Sequence, residues 1–206
     1  MTSEGCAVAR KRSLDEGPVL RGRILRCASV MFYERGYAGT SIRDIGEAVG
    51  ISSSTMYHHF ANKQAVLHAI ITNFMTDFVA ATVPVLHDRT RDPRQRLADV
   101  IRIHIEVSDE RRPELLLGNP IRYALDPDQR TEGIVLQRRY HNALLELIEE
   151  GAESGCFSVR NPAITTMAIL DMLNGVREWF DRAGTLDRDR LIDEYVDLSL
   201  KMLGAS

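Results

Sequence analysis

The sequence predicts an all-α protein of 206 residues, with a small N-terminal head of three helices and a larger C-terminal helical domain. Three observations lead there. Apolar residues recur at spacings of three and four through most of the chain, the mark of helices buried on one side. No stretch alternates apolar and polar residues long enough to build a sheet, and no segment repeats. Proline, glycine and short polar runs fall between the periodic stretches, where helices start and stop. An apolar fraction of 44% supports a real core, and the length suits one small and one larger domain.

Residues 1–17 read as a flexible basic arm around Arg10-Lys11-Arg12, its charge diluted by Glu4, Asp15 and Glu16. The head follows over residues 18–66. Its first helix includes Ile24, Leu25 and Ala28. Thr40 or Ser41 can cap the second, because a hydroxyl accepts a bond from an early helical N–H, and Asp44 suits the positive end of that helix. Ile42, Ile45 and Val49 make its apolar face, and Gly50 follows where a chain leaving a helix often needs positive φ. Gly46 sits inside this helix, at a cost of roughly 0.5–1 kcal/mol relative to alanine. Ser52 caps a third helix to about His59, with Met56 and Phe60 inward and Ser53, Ser54, Thr55, Tyr57 and His58 mostly outward.

Two short helices around a glycine turn, over about residues 41–60, form a helix-turn-helix pattern. An α-helix fits the major groove of B-DNA, and short hydroxyl side chains let its backbone come close. Asn62 caps a further helix starting at Lys63, so an ammonium and unpaired N–H groups meet at one positive end, where phosphate oxygens bind well. The net charge of −3 divides unevenly: residues 1–63 hold nine basic and six acidic residues, a balance of +3, and the remainder carries −6. The positive half is the head. Beside such a head the basic arm has two readings, a contact to phosphate or the minor groove, or a solvated tail.

Residues 19–67 resemble the DNA-binding domain of TetR-family transcriptional repressors. The resemblance rests on Ile24-Leu25-Arg26-Cys27-Ala28, Phe32-Tyr33-Glu34-Arg35-Gly36-Tyr37, Thr40-Ser41-Ile42-Arg43-Asp44-Ile45, Gly50-Ile51-Ser52, Met56-Tyr57-His58-His59-Phe60 and Asn62-Lys63, in order. Gly46 departs from it, since a small alanine is usual there. The resemblance implies a dimer on double-stranded DNA, reading a palindromic operator and released by a small-molecule effector. By position it implies that Arg43 reaches a base edge, with guanine the commonest target of such an arginine. Ser53 and Thr55 would touch bases or the groove floor. Ser41, Tyr57, His58, His59 and Lys63 would hold phosphate, and Ser52 stands with them as the cap of the reading helix. Tyr57 has a second reading, as a ring packed under the head. Adjacent His58 and His59 diverge on a helix, so no metal site is expected.

Residues 67–206 form the larger domain. The helix from Lys63 is expected to run to Val83 with Leu67, Ile70, Phe74 and Phe78 as its stripe, stopped by Pro84. Pro93 opens a helix carrying Leu97, Val100, Ile101 and His104, and Pro113 and Pro120 bracket a short one containing Leu115. Asp126-Pro127 starts the next, to about Gly151, with Ile134, Tyr140, Leu144 and Ile148 among its apolar positions. Two last helices, over about 162–182 and 189–203, are apolar on more than one face and need more than one cover. The family resemblance makes a second copy that cover, and Met172, Val176, Trp179, Tyr195, Leu198 and Met202 are the candidate dimer residues. His104, Tyr123, Tyr140, His141 and Arg177 lie near apolar faces and are the candidate effector contacts. The segment from Gly151 to Phe157, followed by Asn174–Phe180, looks like members that sense acyl-CoA thioesters. An aromatic or multidrug-type ligand is the rival.

Other functions find less in the sequence. There is no GxxxxGK[ST], no GxGxxG after a strand, no HExxH and no GxSxG, so neither an enzyme nor a cofactor is expected. Cys6, Cys27 and Cys156 have no metal spacing and fit reduced thiols. A thiol-responsive regulator would rest on Cys27 or Cys156, but Cys27 falls on an apolar helix face, where a thiol packs. An architectural DNA-binding protein would be more basic throughout. No signal-peptide core and no uninterrupted apolar span is present, so a cytoplasmic protein without a membrane partner is expected.

Overall fold

The computed structural model describes residues 4–118, 124–181 and 183–205. Among the described residues there are nine helices and no strand: α1 Glu4–Arg35, α2 Ile42–Val49, α3 Ser53–His59, α4 Lys63–Leu86, α5 Pro93–Glu110, α6 Arg112–Gly118, α7 Pro127–Glu153, α8 Pro162–Trp179 and α9 Arg188–Met202. The stretch expected as an arm is helical from Glu4 and continuous with α1, through Pro18. Ala7, Ala9, Arg10, Lys11, Arg12 and Leu14 are strong helix formers, and one proline removes one helical bond.

Local chemistry sets the head's turns. Ser41, not Thr40, caps α2: its hydroxyl accepts from Asp44 N–H at 3.1 Å, and the Asp44 carboxylate accepts from Ser41 N–H at 2.8 Å. Those bonds hold the Asp44 carboxyl below its ordinary range. Thr40 is buried and donates its hydroxyl to Gly36 O at 3.0 Å. Gly50 ends α2 at φ 78°, a left-handed turn that glycine makes without strain. Ser52 and Asn62 cap α3 and α4 by accepting from Thr55 and Ala65 N–H at 3.1 and 2.8 Å.

The buried apolar residues fall into two clusters, and α4 supplies both. Val66, Leu67, Ala69, Ile70 and Ile71 join Ile24, Phe32, Ile45, Met56 and Phe60 in the head. Phe74, Phe78, Val79, Val83 and Leu86 join α5, α7, α8 and α9 in the larger core. The head's core therefore extends past residue 66, one turn into the segment assigned to the second domain. Pro84 does not stop α4, which continues to Leu86. Buried Val83 and Leu86 hold that last turn despite the missing donor. By length and composition α4 is apolar enough to cross a membrane, as core helices also are.

Two features lock the larger domain. Arg96 is fully buried, donating to Leu86 O at 2.9 Å and to Glu150 Oε1 at 2.5 Å. One guanidinium thus closes the carbonyl end of α4 and ties α5 to α7. At the same end of α7, a Cβ on Gly151 would stand 2.0 Å from a Phe157 ring carbon, so only glycine lets that ring fill the core. Ile134, expected on the apolar face of α7, is exposed.

One substitution is expected to act with opposite signs at two glycines. A Cβ on Gly46 meets nothing closer than 3.6 Å. Gly46→Ala should stabilise by about 0.5–1 kcal/mol, and Gly151→Ala should destabilise by about 1–3 kcal/mol through overpacking. Urea midpoints test both; a Gly151→Ala chain as stable as wild type would contradict the Phe157 packing.

Candidate nucleic-acid interface and domain cavity

α2 and α3 expose a polar face on the head. Arg43, Ser53, Tyr57 and His58 are exposed, and Arg43 makes no hydrogen bond or ion pair among the described residues. Tyr57 is half exposed, so its ring does not pack under the head. Ser41 and Ser52 are exposed but already serve as caps, and the Ser52 and Thr55 hydroxyls share a bond at 2.9 Å. His59 is half-buried. Burial first, then the charges of His58 and Arg21, lower its pKa and favour its neutral form. The His58 and His59 rings meet edge to face with centroids 5.6 Å apart.

Lys63 is held more firmly than expected of a phosphate ligand. Its ammonium donates to Tyr37 O at 2.7 Å and lies 4.3 Å from the centre of the Tyr37 ring, which leaves two N–H donors. Arg21 and Arg23 were not singled out from sequence. Arg23 donates to Val49 O at 3.1 Å and Arg21 to His59 O at 3.3 Å, closing the carbonyl ends of α2 and α3 against α1. Arg21 also covers the Phe60 ring at 4.3 Å. No local sequence signal marks these two arginines, since the helix ends they close lie 38 and 26 residues away.

The larger domain holds a cavity of about 340 Å³, open to solvent on one side and walled by α4, α5, α6, α7 and α8. His104, Tyr140, His141 and Arg177 all line it. Tyr123 lies outside the described residues. The His104 Nδ1 and the Tyr140 hydroxyl stand 3.1 Å apart, and the Phe78 ring meets both edge to face at 5.2 and 4.8 Å. Burial, with a smaller push from the Arg177 charge, lowers the His104 pKa to about 4; burial raises that of Tyr140. Both are therefore neutral at pH 7. Ser108, Gln137 and Asn174 also line the cavity and were missed. They sit four, three and three residues from His104, Tyr140 and Arg177, polar positions on otherwise apolar faces, which is the pattern that finds such sites.

On the outside, α8 and α9 leave Ile164, Met167, Trp179, Leu198 and Met202 exposed. Trp179 and Tyr195 lie with ring centroids 6.5 Å apart, and Met172 and Tyr195 are half-buried. Val176 does not belong to this surface. It is 2% exposed and packs in the chain's own core, because it falls on the inner face of α8 with Ile169 and Leu173. Cys27 donates weakly to Met31 Sδ at 3.8 Å, and burial raises its pKa, the opposite of a reactive thiol.

Residues 24–70 match the model of bacterial regulatory proteins of the tetR family, and residues 90–203 match the tetracyclin repressor-like C-terminal domain. The chain belongs to the TetR family. Among curated relatives of this TetR-family chain is the transcriptional repressor KstR2 of Mycobacterium tuberculosis, 28% identical over 66% of this chain and 68% of its own length. Among solved structures, the regulator PfmR of Thermus thermophilus superposes with a TM-score of 0.81 at 31% identity, over 88% of this chain and 98% of its own. AibR, crystallised with isovaleryl coenzyme A and operator DNA, has the same fold, with a TM-score of 0.79 at 22% identity over 91% of this chain and 100% of its own. This TetR-family chain is therefore a DNA-binding regulator of transcription, and α2 and α3 fall within the matched N-terminal segment.

The cavity of this TetR-family chain has a pH signature. His104 takes a proton near pH 6.5 when unfolded but only near pH 4 when folded, so the unfolded chain binds the extra proton between those values. Stability contributed by neutral His104 is complete above that window and falls as pH drops through it. His104→Leu is expected to flatten this part of the slope in urea titrations from pH 7 to 4. An unchanged slope would mean that His104 is not buried uncharged.

Proposed function

We propose that this chain is an effector-responsive repressor that binds a palindromic operator as a homodimer and leaves it when a small molecule fills the cavity. One observation carries the reading: α4 begins at Lys63 on the reading head and places Phe74 and Phe78 in the cavity wall. A body that fills the cavity must act on the helix that carries the head. Release requires that the ligand bind the non-operator arrangement better, by as much as it weakens DNA binding.

Residues 18–66 are the reading head and residues 67–206 the effector and dimerisation domain, with the start of α4 shared. In the head, α3 enters the major groove. Arg43, Ser53 and Thr55 address bases; Ser41, Ser52, Tyr57, His58, His59 and Lys63 hold the backbone around it. The second copy covers the α8–α9 face through Trp179, Leu198 and Met202, with Met172 and Tyr195 at its edge. Two heads about one helical turn apart then meet two half-sites. His104, Tyr140, His141 and Arg177 contact the effector, which we take to be of acyl-CoA type. The isovaleryl coenzyme A complex of AibR supports that class. As a bacterial regulator of transcription, it works in the cytoplasm, where its operator lies.

The test is binding of the purified protein to its own upstream intergenic DNA, with and without a panel of acyl-CoAs. Two chains per operator and release by one of the panel are expected. A monomer indifferent to every inverted repeat there would overturn the reading. Arg43→Ala should cost on the order of 1–3 kcal/mol and relax preference at one base pair per half-site, and an equal loss on every sequence would contradict the base contact. Lys63→Ala should weaken binding to all sequences alike and lower the salt slope by about one unit per head; an unchanged slope would remove Lys63 from the phosphate set.

A further inference from the structure

We propose that Arg177 is the specificity-determining residue of the cavity and that it selects an anionic amphiphile: an acyl body on the apolar wall, with its negatively charged end on the Arg177 guanidinium. The inference rests on the cavity being the effector site. The apolar wall is Phe74, Phe78, Leu115 and Leu170, with Met167 exposed at its rim. Across it, the Arg177 side chain is only 11% exposed. Burying a guanidinium is costly unless charge and hydrogen bonds compensate it. Its compensation among the described residues is a single bond, from Nε to Glu178 Oε1 at 3.1 Å, and Glu178 is the exposed next residue on the helix. The two terminal nitrogens have no protein partner among the described residues. They form the planar fork that matches a carboxylate or phosphate.

The other polar groups do not neutralise this charge, and Arg138, the second cation of the lining, is exposed where Arg177 is not. His104 and Tyr140 bond to each other and are uncharged, and the Arg177 charge is itself part of what keeps the proton off His104. Glu114 pairs with Arg111 at 3.7 Å, and Arg111 also bonds Asp77 at 2.8 Å. Asp171 lies at the cavity's exposed edge, on the same helix as Arg177 but not paired with it. At about 340 Å³ the space is at the small end for a ligand pocket, which suits a medium chain or one or two rings.

The negative end has two sources, a free carboxylate or the phosphates of a coenzyme A thioester, and the probes separate them. Octanoate, octanoyl-CoA, 1-octanol and octylamine are titrated calorimetrically into wild type, Arg177→Met and Arg177→Lys, with thermal unfolding checked for each variant. Wild type is expected to bind octanoate or octanoyl-CoA roughly ten- to hundredfold more tightly than octanol, as charge-assisted bonds require. Arg177→Met should erase that preference while leaving octanol affinity unchanged, and Arg177→Lys should keep part of it. Octanoate binding marks the carboxylate as the source; octanoyl-CoA alone marks the phosphates. A wild type that prefers octylamine or shows no preference for the anions would overturn the assignment, as would a preference that survives in Arg177→Met. Those outcomes leave the effector site standing. No binding by any of the four would sink both.

Discussion

The structure depends on one helix serving two cores. Residues 66–71 of α4 bury their apolar side chains in the head, and residues 74–86 bury theirs in the larger domain. Buried side chains in a close-packed interior cannot shift far without losing contact. Ile71 and Phe74 lie one turn apart, so the two interiors are coupled through rigid backbone, without a flexible linker. The head is gripped a second time near α7, where Gln64 donates to Ala124 O at 2.9 Å and His68 meets Glu132 at 2.8 Å. α6 packs between α1 and α4 and also borders the cavity.

That arrangement separates rigid from responsive parts. The reading helices are fixed at both ends: Ser41 and Ser52 close their N-termini, and Arg23 and Arg21 close their carbonyl ends against α1. A head built so tightly moves as a body. The larger domain has its own lock in Arg96, which joins α4, α5 and α7 at the far end from the head. Between the two lies the cavity, with Phe78, His104 and Tyr140 packed ring to ring. A ligand there meets side chains that belong to the coupling helix, and its effect on DNA is limited by its differential affinity for the two head positions.

Much of this was legible in the sequence because it is local. Caps such as Ser52 and Asn62, the turn at Gly50 and the α4 stripe follow from spacing and from the few residues that accept special backbone geometry. His104, Tyr140, His141 and Arg177 could be chosen as polar residues on apolar faces, and they meet in one cavity. What was not legible depends on which of several faces turns inward. Val176 faces its own core on a helix apolar nearly all round, where periodicity cannot separate inner from outer positions. Arg96 gives no sequence sign that it is buried, since its partners are a backbone carbonyl and a glutamate 54 residues away. The helix position of Lys63 points to phosphate, and only the fold shows its ammonium resting on Tyr37.

The most direct measurement is the distance between the two reading helices of a dimer. Spin labels at Ala61, an exposed position after α3, can be read by pulsed electron resonance in three states: alone, on operator DNA and with a bound effector. On DNA the α3 centres are expected about 34–36 Å apart, one helical turn of the duplex. The label distance should sharpen there and move to a different value with effector. A distance distribution identical in all three states, or no inter-chain distance at all, would contradict the coupling of cavity and head through α4.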